Sequence, residues 1–62
     1  MAVYDKFKAD TEKELQDIVD GYMYRYHPLG YCTQVNKRWT DVDKDTGNPV
    51  YFVQMYRLSS CD

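Results

Sequence analysis

The chain has 62 residues, a formal net charge of −2, and a high aromatic content of seven Tyr, two Phe and one Trp. A chain this short makes one domain, residues 1–62, and buries only about 60% of its unfolded surface, so a staple or a partner chain is expected to complete its core. The charge balance excludes a strongly basic duplex-DNA binder, and no apolar run approaches the length of a membrane span.

Val3, Tyr4 and Phe7 sit among charges in the first nine residues. This segment reads as an arm packed on the body or as the first turns of a helix. The spacing Tyr4, Phe7, Thr11, Leu15 favours the helix, which is predicted over residues 4–25. Thr11 with Glu14 has the pattern of a capping box, which would place the start nearer Thr11. Leu15, Ile18, Val19, Tyr22, Met23 and Tyr26 then draw one apolar stripe. Gly21 lies off that stripe and reads as a weak point or as a place where another backbone comes close. Pro28 stops the helix and Gly30 lets the chain turn. His27 is expected to interact with the last carbonyls of the helix.

Residues 31–40 alternate as a strand. Tyr31, Thr33, Val35, Lys37 and Trp39 form its more apolar face, which should meet the helix. Residues 41–49, DVDKDTGNP, are dense in turn formers. Residues 50–58, VYFVQMYRL, carry the strongest strand signal. One face of that strand is Val50, Phe52, Gln54, Tyr56 and Leu58; the other is Tyr51, Val53, Met55 and Arg57. The fold class expected is α+β: one N-terminal amphipathic helix on a small antiparallel hairpin (α-β-β). One helix covers one face of a two-stranded sheet, and an isolated hairpin is marginal. Homodimerisation is therefore expected to complete the core.

The acids cluster at Asp5–Asp20 and Asp41–Asp45, while Arg25, Lys37 and Arg38 fall in an acid-free stretch. One acidic and one smaller basic face are expected. Asp41, Asp43, Asp45 and Gly47 resemble the opening of a Ca²⁺ loop, but Thr46 and Phe52 stand where such a loop needs Gly and Glu. His27, Cys32, Cys61 and Asp62 lack the paired spacing of a zinc site. No metal and no cofactor are expected. Cys32 or Cys61 with the lone His27 does not make a catalytic constellation, and no enzyme activity is expected. A Cys32–Cys61 bridge is an alternative staple, closing about thirty residues and contributing about 3 kcal/mol. With no secretory signal pattern at the start of the chain, the expected compartment is the cytoplasm, with reduced thiols.

The remaining reading is a non-catalytic binding protein. Excess aromatics and an over-apolar second strand point to an interface. Its expected residues are Tyr24, Trp39, Tyr51, Val53, Met55 and Arg57. By size and composition alone, the chain is similar to small acidic phage-encoded proteins that bind and disable host proteins in the host cytoplasm. A bacterial accessory subunit is the next such likeness. Two alternatives stand beside protein binding. One is capture of a nucleotide-like anion at a dimer interface by Arg25, Lys37, Arg38 or Arg57 among tyrosines. The other is single-stranded nucleic acid stacked on an aromatic sheet face, although the basic–glycine pattern of RNA-binding sheets is missing and the net acidity opposes phosphate.

Overall fold

The computed structural model describes residues 1–59. Its elements are β1 (Ala2–Ala9), α1 (Glu12–Arg25), α2 (Pro28–Tyr31), β2 (Gln34–Val42) and β3 (Pro49–Leu58). The three strands form one antiparallel sheet in the order β1-β3-β2. The flanking strands therefore run parallel to each other, joined over the helix, with β3 inserted between them. No helix among the described residues is long and apolar enough to cross a membrane.

The N-terminal segment corrects the sequence reading. Residues 2–9 are a strand, so the order is β-α-α-β-β with three strands, not α-β-β. Val3, Asp5, Phe7 and Ala9 alternate with Tyr4, Lys6 and Lys8, and exposure along the strand alternates with them. That period of two competed with a spacing near four. It wins because β3 is apolar on both faces and takes partners on both edges.

The helix begins where the capping box puts it. The Glu14 amide donates to Thr11 Oγ1 at 3.1 Å, and Thr11 has extended backbone angles. Leu15, Val19 and Tyr22 of the predicted stripe are buried, and Ile18, Met23 and Tyr26 pack beside them. Their partners are Ala9 of β1 with Val53 and Met55 of β3. A methyl group at Gly21 would meet nothing within 4 Å among the described residues, so none of their backbone comes close there. Gly21→Ala is expected to raise stability by about 0.5–1 kcal/mol, read as a higher urea midpoint. A fall would mean that something outside the chain fits against the glycine.

His27 caps α2 rather than the end of α1. Its Nδ1 accepts from the Leu29 amide at 3.3 Å. Cys32 closes α2 with a left-handed φ of 55°. This short helix takes Tyr31 out of the predicted strand, so β2 starts at Gln34. The hairpin turn follows the sequence: Gly47 adopts φ 74°, its amide donates to the Asp43 carbonyl at 2.7 Å, and Asp43 Oδ1 accepts from the Asp45 amide at 2.8 Å. Cys61 lies outside the described residues, and the Cys32–Cys61 bridge with it.

Candidate functional site: the open face of the sheet

Residues paired across an antiparallel ladder point to the same face. The register therefore sorts the sheet. Val3, Asp5, Phe7 and Ala9 pair with Arg57, Met55, Val53 and Tyr51, and this is the face that α1 covers. The face expected to lie open toward a partner is thus the one the helix buries. Val53 and Met55 are 0% exposed and belong to the chain's own core. Tyr51 packs against that core. The Arg57 guanidinium lies 4.0 Å above the Tyr26 ring. Within the interface set only Trp39 lies on the uncovered sheet face, while Tyr24 is 90% exposed on α1.

A bulge explains the misplaced Trp39. Between Val35, opposite Met55, and Lys37, opposite Gln54, the register slips by one residue at Asn36. Before the slip, Val35 faces the helix. After it, Lys37, Trp39 and Asp41 face away, while Arg38 and Thr40 turn toward the helix side. The Asn36 side chain donates to Gln54 Oε1 at 2.8 Å and ties the bulge to β3.

The open face carries two aromatic pairs. Trp39 and Phe52 stack with centroids 5.2 Å apart and planes 4° from parallel. Tyr4 and Tyr56 meet edge-on at 5.3 Å. Lys37 Nζ lies 5.0 Å from the Trp39 ring and Lys6 Nζ 5.9 Å from the Phe52 ring, so two ammonium groups bracket the stacked pair. Lys8 shares this face, and Asp41 is its acid. The opposite layer carries exposed Glu12, Glu14, Asp17 and Asp20 on α1. The open face carries Lys6, Lys8 and Lys37, while the other two residues of the expected basic face lie elsewhere, Arg25 at the end of α1 and Arg38 on the helix side of the sheet. Tyr4, Phe52, Tyr56, Lys6 and Lys8 are the face residues that sequence reading missed. The alternation of β1 was the signal that could have found three of them.

The helix-side face holds a polar cluster of its own. Tyr22 Oη donates to Asp5 Oδ2 at 2.7 Å. Burial first, then the Asp5 carboxylate, pushes the Tyr22 phenol up to about 12, with Arg57 pulling the other way. Phe7, Tyr22, Tyr26 and Tyr31 follow one another at centroid distances of 5.6, 4.9 and 5.3 Å. This chain of rings stabilises the joint between α1, α2 and the sheet.

The candidate anion contacts do not converge. Arg25 lies at the end of α1 beside Tyr26, at 5.6 Å from its ring. Lys37 is on the open face, and Arg38 is on the other, donating from Nη2 to Gln16 Oε1 at 2.9 Å. A groove of about 570 Å³ runs between the start of α1 and β2, with Glu12, Gln16, Arg38 and Thr40 on its walls. Its charges are of both signs. Among the described residues no group of three His, Cys, Asp or Glu side chains could hold a metal ion. The chain matches no protein-family model, and comparison with curated proteins and with solved structures gives no match.

Proposed function

We propose that this is a non-catalytic binding protein that works as a homodimer and engages a protein partner through the open face of its sheet. The observation that carries the reading is the Trp39–Phe52 stack held between Lys6 and Lys37 on a face that the chain's own helix does not cover. Clustered aromatic side chains are the composition of an interface core, and charged side chains around them that of its polar rim. The partner surface that fits is apolar at its centre and acidic at its edge.

Area supports the dimer. Three strands of about eight residues span roughly 14 by 27 Å, or about 400 Å², at ordinary strand spacings. A stable interface buries about 800 Å² on each side. Two copies side by side reach that figure, and one copy reaches half of it. Size, acidity and this surface suit an inhibitor or modulator of a host protein of the kind phages encode, acting in the cytoplasm. A second reading uses the same face: parallel rings between ammonium groups also suit the bases and phosphates of a single-stranded nucleic acid.

Tyr4→Ala combined with Lys6→Glu tests the proposal, because both positions are exposed and lie on β1, away from β2. The pair is expected to weaken partner binding about tenfold or more, while Asp20→Lys on the helix leaves it unchanged. The reverse pattern overturns the reading. The fluorescence of Trp39, the one Trp, reports the alternative directly. Saturable quenching by a single-stranded oligonucleotide that fades with added salt would give the face to nucleic acid instead.

A further inference from the structure

We infer that the second copy joins along the free edge of β2, in the register that sets Trp39 opposite Trp39 of the partner. This deepens the homodimer reading above and rests on it. Among the described residues the sheet ends in two free edges, β1 and β2. Two strands related by a two-fold axis normal to the sheet pair residues of the same face. That condition separates the edges.

On β1 the acid and the lysines are on opposite faces: Asp5 faces the helix and accepts from Tyr22, while Lys6 and Lys8 face away. No two-fold register of β1 sets Asp5 against either lysine. On β2, Lys37 and Asp41 are on one face, both exposed, with Trp39 midway between them. Centring the axis on Trp39 sets each Lys37 opposite the partner's Asp41, and Arg38 opposite the partner's Thr40. Centring it one residue earlier sets Arg38 against Arg38, and two residues earlier sets Lys37 against Lys37. Within the residues of β2, the Trp39 register is the one that opposes unlike charges.

The backbone fits this register. The Asp43 amide turns toward β3 and donates to the Asn48 carbonyl at 2.9 Å. The Val42 amide is taken by Asp41 Oδ1 of its own chain at 2.8 Å. By alternation the amides and carbonyls of Thr40 and Arg38 point to the free edge. Those two residues oppose each other across the axis, so each pair exchanges two backbone hydrogen bonds. Trp39 then falls at a position without hydrogen bonds, where side chains stand closest. The Phe52–Trp39 stack would continue into its copy as one row of four rings across a six-stranded sheet. Pairing the edge also removes a nine-residue strand as a template for uncontrolled association.

The test is a charge swap read by sedimentation equilibrium at low salt, with circular dichroism to confirm folding. Lys37→Asp and Asp41→Lys are each expected to raise the dimer dissociation constant about tenfold or more, since each places two like-charged pairs at the axis. The double variant is expected to restore it. Dimers indifferent to all three variants would place the contact on another surface and leave the homodimer reading standing. A monomeric wild type would overturn both. Single variants that dissociate without rescue by the double would overturn the register. Should the single variants unfold, Trp39→Cys in a Cys32→Ser, Cys61→Ser background decides. Opposed cysteines at such a position fall within disulfide reach, so a covalent dimer is expected on mild oxidation. Thr40→Cys, offset along the strand from its own copy, should give none.

Discussion

Met55→Ala is expected to lower the free energy of unfolding by about 3 kcal/mol, within the usual range for emptying a buried Met site. Met55 is 0% exposed, sits on the central strand and packs among Leu15, Val19 and Tyr22 of the helix. A domain of this length carries about 3–9 kcal/mol in total. The variant would lose a third or more of that and unfold well below its parent in urea, at an unchanged slope. Tyr24→Ala, at a residue 90% exposed, is expected to stay within about 0.5 kcal/mol of wild type. The pair decides what the second face of β3 is for. An interface role for Met55 would show as lost partner binding at unchanged stability. A core role shows as lost stability first.

That reassignment also marks what the sequence discloses. The helix stripe, its Thr11 cap, the stop before Pro28 and the hairpin around Gly47 are local features, set within a few residues by period, capping and turn chemistry. They were legible. The strand at Ala2–Ala9 was not, because its pattern of apolar and charged residues serves either period, and the choice depends on β3 offering an unpaired edge more than 40 residues away. The site suffered from a smaller event. One extra residue at Asn36 turns Trp39 from the helix side to the open side. Nothing in the composition of QVNKRWT announces a bulge. On β3 the face that the helix leaves uncovered is the one bearing Phe52 and Tyr56, not the one bearing Val53 and Met55.

Alkaline pH is expected to destabilise the fold through Tyr22. Its phenol ionises near 10 in the unfolded chain and at about 12 in the folded one. Between those values the folded state holds a proton that the unfolded state has released. Stability therefore falls as pH rises, with the contribution complete below pH 10 and gone above pH 12. The difference of two units corresponds to a loss on the order of 2 kcal/mol. The decisive quantity is the gap between wild type and Tyr22→Phe. At pH 8 the variant should be less stable by about 1.5–3 kcal/mol, having lost the 2.7 Å bond to the Asp5 carboxylate. By pH 12 most of that gap should have closed. A gap that stays constant from pH 8 to 12 would mean Tyr22 is not held protonated by its surroundings. Asp5→Asn separates the two causes. It removes the carboxylate charge and keeps an acceptor oxygen, so the tyrosinate absorbance step should move partway back toward 10. Burial between α1 and the sheet, the larger cause, still holds the remainder above it.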